Sequence, residues 1–451
     1  MTSRSFDPLA SDAPLIVYLD HKSPYAYLAV EPTFALADEL GIAVDWRPLT
    51  LDIPSFLGSA RLGAKDEVVE SQRTPEQWVG VKHAYRDCRR YARLRGVLLR
   101  GTVKIWDSSL AGIGMLWAKA QGEPVLRAYT RGVYQPFWRR ELDIAALDEI
   151  ERVLRESGAS VEGFRAWAAG EGRARHEAEQ RAVFEAGVFG VPAYVVGGEW
   201  YWGREHLPRV RWLLGGKRGP APDAAYEGSA AALDVLTGAA DAARLEVAID
   251  FKSPLSYLAL EPTLALADAL GIELDWQPLV IAPLRRHPEP AAGDDRGARH
   301  RRNRAEYYRR DQERYAESRG LSLAAADRSS DSTPAALGLL WVRARAPART
   351  RAYVERAFAA HWRESEDLAS LAAVARLLEA AGAPTGGFAD YLRGAGPAEL
   401  GAVRERLFAA NVFDVPSYRL GDEVFLGRQH LPVIRDLVSA CLPPSRVGAS
   451  R

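Results

Sequence analysis

Cysteine is scarce in this chain: Cys88 and Cys441 are the only two in 451 residues, they lie in different halves, and neither sits in a Cys-x-x-Cys motif. That usage excludes a disulfide scaffold and a structural zinc cluster. Net charge is lacking too, because 59 basic and 59 acidic residues cancel. Bulk electrostatics therefore gives no reason to expect nucleic acid or an acidic membrane surface as partner. No apolar run approaches the length of a membrane span, and the opening MTSRSFDPLASDAP has no signal-peptide core. The expectation is a cytoplasmic protein. What the chain does have is 47% hydrophobic and 26% charged residues, an ordinary globular composition with room for two sizeable cores.

It also says the same thing twice. KSPYAYLAVEPTFALADELGIAVDWRPL, Lys22 to Leu49, returns as KSPLSYLALEPTLALADALGIELDWQPL, Lys252 to Leu279, at an offset of 230 residues. VFGVPAYVVGGEWYWGREHLP, Val188 to Pro208, returns as VFDVPSYRLGDEVFLGRQHLP, Val412 to Pro432, at an offset of 224. A period this long is a duplicated domain and not a solenoid, and the change of offset is an indel within the unit. The domains are expected at 1–215 and 244–451. The Gly-, Ala- and Pro-rich stretch 216–243 between them reads as an exposed connector.

Each half opens with a buried strand, Leu15 to Leu19 or Leu245 to Ile249. Ser23 and Ser253 then fit an N-cap, and Pro24 and Pro254 fit the first helical position. The helix ends at Gly41 or Gly271, and Pro32 or Pro262 inside it is expected to kink or split it. A second strand, Ile42 to Trp46 or Ile272 to Trp276, completes a crossover unit with parallel strands. About a hundred residues with helical patterning follow. A hairpin comes next, Ala193 to Val196 with Trp200 to Trp202, or Ser417 to Leu420 with Val424 to Leu426, and a helix closes the unit. The fold class is α/β: two thioredoxin-like domains, each βαβ, a helical insertion, then ββα.

The Ser-Pro-Tyr-x-Tyr-Leu-Ala start, the Val-Phe-Gly-Val-Pro block and the Trp-Gly-x-x-x-Leu close resemble 2-hydroxychromene-2-carboxylate isomerase and kappa-class glutathione transferase, in the DsbA-like group of thioredoxin folds. The resemblance covers nearly all of both halves. It implies that Ser23 and Ser253 replace the attacking cysteine of a disulfide oxidoreductase and hold the sulfur of glutathione, or of another low-molecular-weight thiol. A helix N-terminus and a hydroxyl donor both favour a thiolate. It further implies cis bonds at Val191-Pro192 and Val415-Pro416, with the residue before each proline pairing with the glutathione backbone. The family's acidic residue after the hairpin is matched by Glu205 but not by Gln429.

Among other candidates, Lys22 and Lys252 read as solvated, or as sources of local positive potential. His21, which is Phe251 in the second half, reads as a loop residue or an acid-base group. Asp107-Ser108 and Asp331-Ser332 read as helix caps. Tyr25, Trp46, Trp106, Trp200 and Trp202 are core or the wall of an aromatic pocket. The basic run Arg296 to Arg310, with its interleaved acids, reads as a solvated helical face. The leading expectation is a glutathione-dependent isomerase acting on an aromatic-derived carboxylate, with catalysis concentrated in the first half. The alternatives are a kappa-like glutathione transferase or peroxidase, and a non-catalytic thioredoxin-like binding module. Partners are a small-molecule substrate and, through the duplication, a pseudo-dimer within one chain.

Overall fold

The computed structural model describes residues 6–57, 60–62, 68–228, 244–281, 295–323 and 330–441. By its contacts the chain divides into two units, Met1–Asp223 with Glu289–Tyr307, and Ala224–Pro288 with Tyr308–Arg451.

The first unit begins β1 (Leu15–Leu19), α1 (Pro24–Leu40), β2 (Val44–Pro48), α2 (Pro54–Leu57), β3 (Ala60–Leu62) and β4 (Val68–Ser71). Six helices follow: α3 (Pro75–Leu94), α4 (Ser109–Lys119), α5 (Glu123–Arg139), α6 (Leu147–Glu156), α7 (Phe164–Ala169) and α8 (Glu171–Glu185). It closes with β5 (Ala193–Val196), β6 (Glu199–Trp202) and α9 (Leu207–Leu214). The second copy runs β7 (Arg244–Ile249), α10 (Pro254–Leu270), β8 (Glu273–Pro278) and α11 (Arg296–Glu317). Then come α12 (Thr333–Arg345), α13 (Thr350–Glu364), α14 (Leu371–Ala380), α15 (Phe388–Arg393) and α16 (Gly396–Ala409), followed by β9 (Ser417–Leu420), β10 (Glu423–Leu426) and α17 (Leu431–Cys441).

Each copy builds a four-stranded mixed sheet, ordered β2-β1-β5-β6 and β10-β9-β7-β8. In the first, β1 is parallel to β2 and antiparallel to β5. The thioredoxin order expected from the sequence is therefore the observed one. All five residues of β1 are buried, as a central strand with both faces covered requires. Ser23 accepts a hydrogen bond from the N–H of Ala26, Pro24 occupies the first turn, and Gly41 ends α1 in the left-handed conformation.

Four expectations change. The helical middle of the first half also holds the antiparallel hairpin β3–β4, whose short β4 is exposed and carries no apolar alternation to announce it. The basic run at the start of α11 is not merely a solvated face. His300 and Tyr307 are buried in the first unit, where the Tyr307 hydroxyl accepts from the N–H of Trp202 at 2.6 Å and its ring lies 4.4 Å from Trp200. The connector is not wholly exposed, since Tyr226 is buried in the second unit and its N–H donates to the carbonyl of Gln429 at 2.7 Å. Residues 229–243 of that connector lie outside the described residues.

The fourth concerns the prolines. Neither Pro32 nor Pro262 splits its helix: α1 and α10 run unbroken through them. A proline inside a helix has no N–H for the carbonyl four residues back, which leaves Leu28 and Leu258 without their helical donors. Arginines fill both vacancies. The guanidinium of Arg95, at the end of α3, donates to the Leu28 carbonyl, and Arg319 donates to the Leu258 carbonyl at 2.6 Å. Burial lowers the pKa of Arg95 to about 10, which leaves it charged at neutral pH.

Arg95→Leu should therefore cost about 1–3 kcal/mol, the penalty of an unsatisfied buried carbonyl. The same change in a Pro32→Ala background should cost less, because the restored N–H of residue 32 takes over. Denaturant midpoints for the two singles and the double measure this coupling, and strict additivity would contradict the tie.

Candidate functional site

The site is assembled at one end of the first sheet. β1 pairs with β5 up to Tyr18 and Ala193, so Val191 and Pro192, just before Ala193, reach the same sheet end as Asp20, just after Leu19. The Val191-Pro192 bond is cis, as is Val415-Pro416. The carbonyl of Pro192 is taken by the N–H of Gly203 at 2.9 Å. Among the described residues, neither the N–H nor the carbonyl of Val191 is hydrogen-bonded within the protein.

Between β1 and α1 lies a turn that the sequence reading missed as a device. Asp20 is buried, and its carboxylate accepts from the N–H of Lys22 at 3.1 Å, the N–H of Leu51 at 2.8 Å and the Ser108 hydroxyl at 2.6 Å. Its own carbonyl accepts from the N–H of Ser23 and from the Tyr134 hydroxyl, both at 2.9 Å. One aspartate thus joins the end of β1, the loop after β2 and the start of α4, and fixes where Ser23 stands. Asp250 repeats the arrangement with Lys252, Ile281 and Ser332 at 3.2, 2.9 and 2.6 Å. The signal was available, since Asp precedes His-Lys-Ser-Pro in one half and Phe-Lys-Ser-Pro in the other.

Two readings are corrected by this network. The cap reading holds for the aspartates, since Asp107 and Asp331 accept from the first helical N–H groups, those of Ser109 and Thr333, at 2.9 Å each, but not for Ser108 and Ser332, whose hydroxyls are committed to Asp20 and Asp250. Lys22 and Lys252 are not solvated but buried, with ammonium groups 3.8 and 3.5 Å from those carboxylates. A buried carboxylate needs such neighbours.

The chain matches the DSBA-like thioredoxin domain family over residues 14–215 and again over 244–439. It belongs to that family, twice over. Among relatives, a 2-hydroxychromene-2-carboxylate isomerase of Pseudomonas putida is 24% identical over 203 residues, 44% of this chain and 92% of that protein. A solved structure of 2-hydroxychromene-2-carboxylate isomerase is 23% identical, with a TM-score of 0.35, and the match covers 42% of this chain and 90% of that one. The cytosolic disulfide reductase DsbM of Pseudomonas aeruginosa is 18% identical, with a TM-score of 0.32, covering 44% and 95%.

In the first DsbA-like domain Ser23 is only 6% exposed. Its oxygen accepts from Ala26 N–H at 3.2 Å, a bond that uses a lone pair and leaves the hydroxyl hydrogen to donate. Ser253 is placed in the same way, accepting from Ser256 N–H at 3.3 Å. Glu205 folds back over Gly203, where a Cβ would collide with its carboxylate, and it interacts electrostatically with Tyr25. Burial above all, with Cys88 and then Asp87 adding for the Tyr25 phenol and Asp87 adding for the Cys88 thiol, pushes both groups up, so both stay protonated. Cys88 is thereby an inert core thiol. Of the other aromatics, Trp46 is core, whereas Trp200 and Trp202 gather around Tyr307 and Phe189.

A further polar pair went unread. His176 of α8 is buried, and its Nε2 lies 3.1 Å from the Thr50 hydroxyl, while Gln180 holds the N–H of Thr50 at 2.7 Å. The second domain has Leu400 and Val280 at these positions by the two repeat offsets.

His21 lies in the turn between β1 and α1, as a loop residue should, but it does not face solvent. Its ring is buried, 4.9 Å from Tyr134, and burial lowers its pKa to about 3. The native state keeps it neutral, whereas the unfolded chain protonates near pH 6.5. Between those values the unfolded state binds the extra proton, so this contribution to stability shrinks as the pH falls through the window. His21→Phe, the residue of the second domain, abolishes it: relative to wild type, the variant should gain about 2 kcal/mol on going from pH 8 to pH 5. Denaturant melts at the two pH values measure this, and a pH-independent difference would contradict a buried neutral His21.

Proposed function

We propose that the first domain is a glutathione-dependent isomerase of the 2-hydroxychromene-2-carboxylate type, acting on an aromatic-derived carboxylate in the cytoplasm. The observation that carries this reading is the pairing of two unspent groups at one sheet end: the Ser23 hydroxyl at the start of α1, and the Val191 backbone before the cis-proline. The similarity to the Pseudomonas putida isomerase supports the reaction class. With no cysteine at either helix start, dithiol exchange has no attacking group.

Bound glutathione would supply a sulfur nucleophile that adds to the substrate's conjugated system and later leaves it, so no thiol is consumed. The protein's part is placement and charge. Ser23 donates its hydroxyl hydrogen toward the sulfur, and the α1 N-terminus adds partial positive charge, which together favour the ionised form. Val191 offers one N–H and one carbonyl to the tripeptide in strand fashion, next to Pro192. Glu205 presents a carboxylate for the ammonium at the glutamyl end.

The aromatic part would lie beside the cis-proline loop. There a cavity of about 20 Å³ is lined by Thr50, Leu51, Phe184 and Phe189, with Arg296, ion-paired to Asp52 at 3.1 Å, as a cation for a carboxylate. At that size it holds a water, and a bicyclic acid requires Phe184 or Phe189 to swing aside.

Ser23→Ala should reduce glutathione-dependent turnover of a chromene carboxylate about a hundredfold, the scale of losing one hydrogen-bond donor to a developing anion. Ser253→Ala should leave that rate unchanged. A wild-type rate in Ser23→Ala would remove the role assigned to the hydroxyl.

A further inference from the structure

The two domains differ at the backbone donor before the cis-proline. In the first, residue 190 is glycine, and no side chain fits there because a Cβ would collide with the indole Nε1 of Trp202. In the second, the position of Trp202 is taken by Leu426 and that of Gly190 by Asp414. The space has been used. The Asp414 carboxylate turns onto the next residue and accepts from the N–H of Val415 at 2.8 Å. The backbone of Asp414 is held in this bend by the Ser417 hydroxyl, which donates to its carbonyl at 2.6 Å. The Gln429 side chain, where the first domain has Glu205, is spent on the carbonyl of Leu426 at 2.8 Å.

We infer that Asp414 is a specificity-determining residue that closes the second domain to a peptide-backbone ligand, so that each chain holds one thiol-tripeptide site and not two. This rests on the glutathione reading of the first domain. An extended ligand pairs with the residue before the cis-proline only if that residue's N–H is available. In the second domain the ligand must displace a carboxylate already within hydrogen-bonding distance, and must bring its own negative charge beside it. Ser253 and the helix start remain in place, so the loss is of the backbone clamp and not of the sulfur position. What the second domain accepts, on this account, is a small anion or thiol without a peptide strand.

Calorimetric titration of reduced glutathione tests the inference through stoichiometry. Wild type should bind one equivalent per chain, lost in Ser23→Ala. Asp414→Gly restores the residue that the first domain carries at this bend; it should bind two equivalents, the second lost on adding Ser253→Ala. Asp414→Asn keeps an oxygen that can accept from Val415 while removing the charge, and should stay at one. Two equivalents in wild type, or one in Asp414→Gly with its melting temperature unchanged, would overturn the closure. Two in Asp414→Asn would overturn the capping and place the effect on charge. No binding by any form would instead overturn the glutathione reading of the first domain, and this inference with it.

Discussion

A buried carboxylate has to be satisfied on every side, and in this protein that requirement builds the site. Asp20 draws in the N–H groups of Lys22 and Leu51, the Ser108 hydroxyl and the Lys22 ammonium. These groups come from three separate segments, around residues 22, 51 and 108. Satisfying one charge therefore fixes the turn that presents Ser23, the loop after β2 and the first turn of the helical insertion. The desolvation cost of the charge is offset only while all the partners are present, which makes the turn rigid rather than merely stable. On the glutathione reading proposed above, Ser23 needs that rigidity, because a hydroxyl meant to donate to a sulfur is useful only if it does not drift.

The duplication supplies an internal comparison. What recurs in both domains is framework: the aspartate knot, the arginine under the helix proline, the tyrosine hydroxyl bonded to the first turn of the preceding helix, and the Thr–Tyr pair between helix and strand. Several differences lie near the sheet end that carries Ser23 and the cis-proline. Tyr25 becomes Leu255, Gly190 becomes Asp414, Glu205 becomes Gln429, and the Thr50–His176 pair gives way to Val280 and Leu400. The second domain thus retains the framework while altering groups around the serine and the cis-proline.

The fold was legible because it depends on local signals that sequence carries well. Buried strands read as apolar runs, Ser-Pro and Gly punctuate α1 at both ends, and the cis-proline block recurs in register. The small hairpin was not legible, being short and exposed. The unbroken α1 was not legible either, because the group that rescues Pro32 lies more than sixty residues away on another helix. The same holds for the site. Ser23, Val191 and Pro192 could be named from the resemblance, but the knot around Asp20 and the burial of Lys22 are long-range pairings with no periodicity. Asp414 could be seen to differ from Gly190; that its carboxylate turns back onto Val415 required coordinates.

The central claim is that the first domain holds a thiol at the start of α1 as its anion, with Ser23 as donor. Ultraviolet titration of the thiolate of bound glutathione, taken as a difference against protein alone, reads this directly. The account predicts that the thiol bound to wild type ionises well below the ordinary thiol value of about 8.5, and that Ser23→Ala returns it toward that value. A bound thiol that titrates at its ordinary value in both proteins would contradict the account.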